Sequence, residues 1–110
     1  MSVIVTLAIF PLDKGEELAG YVAKALAVIQ RSGLPYTLGA MSTSIEGEYD
    51  AVMAVVRQCF FALQADCNRV YMTVALDYRA GENRIQSKVQ AVETLLATNN
   101  THSQPENKVV

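Results

Sequence analysis

The groups most able to bind or react in this chain sit near the ends of two extended segments. Ser42, Thr43, Ser44 and Glu46 lie in one, Asp77 and Arg79 in the other, and Lys88 follows on a later helical stretch. A strand that ends in Glu46-Gly47 delivers a charge to a sheet edge, beside the start of an amphipathic helix. Such a charge suits a ligand site and suits a salt bridge equally well. Asp77 and Arg79 stand two apart on a strand, so they share one side. With Tyr71 and Thr73 they would line a polar pocket over the sheet. They would also serve to tie strand ends together, Asp77 to Arg79 or Lys88 and Arg79 to Glu46. Thr43 and Ser44 fit plain strand or turn duty as well, and Lys88 fits a stem laid along the core edge.

Other chemistries are poorly served. The one histidine, His102, lies near the C-terminus, which argues against Ser-His-Asp and Cys-His catalysis and against a histidine metal site. Gly15, Gly20, Gly33 and Gly39 are too dispersed for a phosphate loop. Cys59 and Cys67, eight residues apart, match no zinc or redox spacing and read as reduced and structural. An enzyme would have to use Glu46 or Asp77 as acid or base, so the chain reads as a non-enzyme with no cofactor. The net charge is −2 and the nine basic residues are scattered, which argues against nucleic acid. No apolar run is long enough to span a membrane. Met1-Ser2 passes straight into Val3-Ile4-Val5 with no basic leader, so a cytoplasmic location is expected.

The elements that must position these groups follow from periodicity. Val3 to Phe10 is a continuous apolar run ended by Pro11 and reads as a strand. Asp13 and Glu16 resemble a capping box for a helix bearing Leu18, Val22, Ala25, Leu26 and Ile29, stopped by Gly33 and Pro35. Residues 36–46 read as two short strands around a bend near Gly39-Ala40. Val52, Val55, Val56, Cys59, Phe60 and Leu63 then mark a second helix. Residues 68–79 return to period two, with Val70, Met72, Val74 and Leu76 on one face. Ile85, Val89, Val92 and Leu96 give a third helix, and residues 98–110 offer little to bury.

The expected architecture is α+β: a ferredoxin-like βαββαβ sandwich with an additional C-terminal helix, residues 1–97, and a flexible tail, 98–110. In the first strand Ile4, Ala8 and Phe10 oppose Val5, Leu7 and Ile9, and a monomer is expected to leave that second set open to water. The last helix or another subunit would cover it, and oligomerisation is the favoured outcome.

Several of these segments together resemble the YkoF-like thiamine-binding protein family. The matching pieces are Phe10-Pro11-Leu12, Tyr21-Val22-Ala23 and Gly33-Leu34-Pro35-Tyr36-Thr37-Leu38. Ser42-Thr43-Ser44-Ile45-Glu46-Gly47, Asp77-Tyr78-Arg79 and Lys88-Val89 complete the series. The resemblance implies a non-catalytic carrier, sensor or salvage component that binds thiamine or hydroxymethylpyrimidine as a homodimer or homotetramer. Thr43, Glu46, Asp77, Arg79 and Lys88 fall at matching motif positions, and from this a ligand-binding set of Thr43, Ser44, Glu46, Asp77, Arg79 and Lys88 is expected: Glu46 and Asp77 accept from the pyrimidine amine or offset the thiazolium charge, Thr43 adds a hydrogen bond, and Arg79 and Lys88 orient the carboxylates. The alternative is a structural or regulatory oligomeric domain that binds another small metabolite. The chain departs from the family pattern at Asp13-Lys14-Gly15-Glu16-Glu17 and at Ala40-Met41-Ser42-Thr43.

Overall fold

A computed structural model describes residues 2–80 and 89–97. Strand β1 (Ser2–Pro11) is followed by helix α1 (Ala19–Ser32), then by the short strands β2 (Tyr36–Leu38) and β3 (Thr43–Glu48). Helix α2 (Tyr49–Gln64) and strand β4 (Val70–Tyr78) complete the domain. Residues 89–97 form a further helix, α3. Lys88 and the tail 98–110 lie outside the described residues. The four strands make one antiparallel sheet in the order β2-β3-β1-β4. This is the ferredoxin-like arrangement expected, with the added helix at its end.

Strand β1 sits at the centre and its pleat divides the molecule. Val3, Val5, Leu7 and Ile9 face the two helices and are buried with Ile45 of β3. Against them α1 packs Ala25, Val28 and Ile29, and α2 packs Val52, Val55, Val56, Cys59 and Leu63. The expectation that Val5, Leu7 and Ile9 would face water is therefore corrected. The opposite set, Ile4, Thr6, Ala8 and Phe10, lies on the face without α1 and α2, in register with Glu46 and Ser44 and with Asp77, Ala75, Thr73 and Tyr71. Thr6 and the small Ala8 make this set the less apolar of the two, so the helices bury more by covering the other.

The ends of α1 show one expectation met and one overturned. Gly33 adopts φ +75 and its N–H bonds the Gln30 carbonyl, the left-handed stop that the sequence calls for. No capping box forms at the start: α1 begins behind Leu18 with no side-chain cap. Asp13 is engaged elsewhere, its Oδ2 accepting the main-chain N–H of Asn68 at 2.7 Å. That bond ties the β1–α1 loop to the α2–β4 loop and holds the Asp13 carboxyl below its usual range. An ion pair from Lys24 of α1 to Asp66 ties that helix to the same α2–β4 loop, raising the lysine pKa and lowering the aspartate's. Cys59 and Cys67 are free and buried. Burial pushes the Cys59 thiol up to about 11, in keeping with a structural rather than reactive role.

Two outcomes follow for stability. Leu63 is fully buried, so Leu63→Ala should cost about 2–5 kcal/mol in urea unfolding. Asp13 titrates lower in the folded chain than in the unfolded one. Its contribution is then fully present above the ordinary value of 3.8 and is lost as pH falls through the native value. Urea midpoints of the wild type and Asp13→Asn should differ at neutral pH and converge in acid.

Candidate functional site

The sheet is notched at one end. Strand β1 pairs with β3 only as far as Leu7 opposite Thr43, but with β4 as far as Pro11 opposite Val70. Past Leu7, β1 therefore presents a ladder edge on its β3 side with no strand beside it among the described residues. The first turn of α1 and the β2–β3 turn close around this notch and form a cavity of about 270 Å³. Leu7, Ala8, Ile9 and Phe10 supply one wall, Leu18 and Val22 of the α1 region a second, and residues 38–43 the third. The volume is a little below the usual range of about 300–1,000 Å³ for a ligand pocket, which suits one small heterocycle.

The walls are largely apolar, with the Ser42 and Thr43 hydroxyls and main-chain groups as the polar points. The β2–β3 turn is tight: the Gly39 N–H donates to the Ser42 carbonyl at 2.8 Å. A Cβ on Gly39 would stand 2.9 Å from that same carbonyl oxygen, so only glycine fits without moving the turn. Met41 is held at the rim with 88% of its surface exposed. The neighbouring β1–α1 loop carries exposed Glu16 and Glu17, just before the lining residue Leu18 in the chain.

The residues singled out in the sequence separate into two groups. Thr43 is buried, lines the cavity and lies opposite Leu7 on the helix face. Ser44 lies on the other face, opposite Thr6 and Thr37. Glu46 and Asp77 also lie there, both in register with Ile4 and flanking it from β3 and β4. With strands about 4.8 Å apart, their Cα atoms are roughly 10 Å from each other. Glu46 is only 5% exposed, unusual for a carboxylate. Arg79 is exposed just past the end of β4, and Lys88 falls outside the described residues. Thr43 and Glu46 are three positions apart in one strand, so they face opposite ways and lie about 10 Å apart along it.

Comparison with known proteins decides the family. Residues 5–93 match a family model described as thiamine-binding protein. The chain belongs to the thiamine-binding protein family. A UPF0045 protein of Mycobacterium bovis is 39% identical over 98 residues, spanning 87% of this chain and 96% of that one. A hypothetical protein of Methanocaldococcus jannaschii superposes with a TM-score of 0.78 at 30% identity, covering 84% of this chain and 96% of its own. A Thermotoga maritima protein, provisionally described as one of thiamine biosynthesis or salvage, gives 0.75 at 26% identity over 84% and 99% of the two chains.

Several lining residues were not singled out as ligand groups in the sequence: Leu7, Ile9, Leu18, Val22, Leu38 and Met41. The signal that would have found them is the mismatch in strand length, because β1 runs on to Pro11 while β3 begins only at Thr43. The geometry of the turn gives a direct test. Gly39→Ala should open the Gly39–Ser42 contact and weaken binding of any cavity ligand. Amide shifts between mutant and wild type should concentrate in residues 37–43, and unchanged shifts there would contradict the close approach.

Proposed function

We propose that this chain binds thiamine or a related pyrimidine such as hydroxymethylpyrimidine, without turning it over, in the notch at the end of β3. The observation that carries this reading is the joining of an open strand edge to an apolar cavity within a thiamine-binding family member. A strand edge offers alternating main-chain donors and acceptors. An aminopyrimidine carries the same kinds of groups along its rim, and its flat faces fit between apolar walls. Ser42 and Thr43 add hydroxyls at one end of the cavity. The acidic Glu16-Glu17 segment does not oppose the cationic thiazolium, so the departure from the family pattern in this loop is compatible with thiamine. The name given to the Thermotoga protein supports the same ligand class.

The protein acts in this reading as a cytoplasmic carrier, sensor or salvage component. Its second sheet face, with Phe10 and Tyr71, is covered in a homodimer or homotetramer. Phe10 and Tyr71 already pack there with ring centroids 5.6 Å apart. The buried Glu46 beside Ile4 favours a second reading, in which the ligand's cation or amine meets Glu46 and Asp77 on that face.

Calorimetric titration separates the two sites. Thiamine and hydroxymethylpyrimidine should bind the wild type in the micromolar range or tighter. Thr43→Val, which keeps the strand shape and removes one hydroxyl, should weaken binding about tenfold, the equivalent of about 1.4 kcal/mol. Glu46→Gln should leave it within a factor of about two. Loss of binding in Glu46→Gln with Thr43→Val intact would move the ligand to the second face. Absence of heat with both compounds would overturn the ligand assignment.

A further inference from the structure

The register of the sheet decides which main-chain groups the notch exposes. The Glu46 N–H donates to the Pro35 carbonyl at 3.0 Å, so the main-chain groups of Glu46 turn away from β1 toward β2. Along an antiparallel strand, successive residues turn their N–H and C=O to alternate sides. Gly47, Ile45 and Thr43 therefore turn theirs toward β1, in register with Val3, Val5 and Leu7. Those three residues of β1 answer with their own N–H and C=O, and Ile4, Thr6, Ala8 and Phe10 pair with β4 instead. The alternation holds past the end of the strand, where the Leu12 N–H donates to the Arg69 carbonyl on the β4 side at 2.9 Å.

Ile9 is the next residue of the set that turns toward β3, and β3 does not reach it. Its N–H and C=O thus point side by side into the notch, with no strand to meet them among the described residues. On its other side Ile9 stands opposite Met72 as a non-bonded pair, because Ala8 and Phe10 carry the bonds to β4. Ile9 lines the cavity and is only 7% exposed. A buried donor and acceptor without partners are costly, and a bound molecule that met both would remove that cost.

The chain beyond Ile9 narrows the occupant. Pro11 is the next residue with this orientation, and it has no N–H to offer. A strand added here would lose its ladder after one residue, so the edge does not suit a peptide. It suits a small flat ring that carries one acceptor and one donor side by side.

We propose that the Ile9 main chain is the recognition pair of this cavity and reads the amidine edge of an aminopyrimidine. The Ile9 N–H donates to a ring nitrogen, and the Ile9 carbonyl accepts from the amino group on the adjoining carbon. This assignment rests on the pyrimidine reading of the cavity and specifies which edge of the ring enters. Selectivity then comes from the backbone, and the amino group is what the site selects for. A ring without it keeps its shape but leaves the Ile9 carbonyl buried and unpaired.

Two readouts on the full-length protein test the pairing. Hydroxymethylpyrimidine and its analogue with hydrogen in place of the amino group are compared by calorimetric titration. The analogue should bind at least about tenfold more weakly. In NMR spectra of isotope-labelled protein, hydroxymethylpyrimidine should move the Ile9 amide proton downfield and slow its exchange with solvent. Equal affinity for the two compounds, or binding that leaves the Ile9 amide unmoved, would overturn the pairing while keeping a pyrimidine ligand. Absence of heat with hydroxymethylpyrimidine would remove the pyrimidine reading itself, and the pairing with it.

Discussion

The pleat of β1 is the constraint on which the rest of this molecule depends. It is paired on both sides, so its register fixes which face every neighbouring residue meets. Val3, Val5, Leu7 and Ile9 gather the core from α1, α2 and β3. Ile4, Thr6, Ala8 and Phe10 define the other surface. A slip of one residue against β3 would exchange Thr43 with its neighbours and move it out of the cavity. The tight packing of Gly47 helps to hold that register: a Cβ there would meet Leu34 at 3.1 Å and Val52 at 3.3 Å. The main-chain bond from Glu46 N–H to the Pro35 carbonyl, at 3.0 Å, fixes the same strand from its other side.

The candidate site is a consequence of unequal strand lengths on that frame. A β3 that ran further back would fill the notch and satisfy the β1 edge with its own main chain. The Gly39–Ser42 turn prevents this by reversing the chain early. The result is a pocket built from rigid parts, a strand edge, a helix start and a tight turn, with Met41 as its exposed rim. Such a site offers shape and main-chain hydrogen bonding more than charge. Among the described residues no cluster of histidine, cysteine or carboxylates is arranged to hold a metal. None of the helices described there is long and apolar enough to cross a membrane.

Much of the architecture was legible in the sequence because periodicity is a local property. The stripe from Val52 to Leu63, the Gly33-Pro35 stop and the alternation in β4 each report on a few neighbouring residues. The face to which Thr43 and Glu46 turn was less legible, because it depends on pairing between strands far apart in the chain. The motif around Thr43-Ser44-Ile45-Glu46 looked like one site in sequence, yet alternation splits it across two faces of a sheet. Asp13 shows the same limit. It has the spacing of a helix cap, but a backbone donor 55 positions away claims its carboxylate. The apolar lining of the cavity was hidden for a related reason: in a sequence, a residue that walls a pocket looks like one that fills the core.

The central claim is that ligand enters the notch beside β1 rather than the carboxylate row on the opposite face. Methyl-labelled protein titrated with thiamine and followed by NMR reports on both places at once. The account predicts saturable shifts for the methyls of Leu7, Ile9, Val22 and Met41, with Ile4 nearly unmoved. Shifts centred on Ile4, with the notch methyls silent, would contradict it.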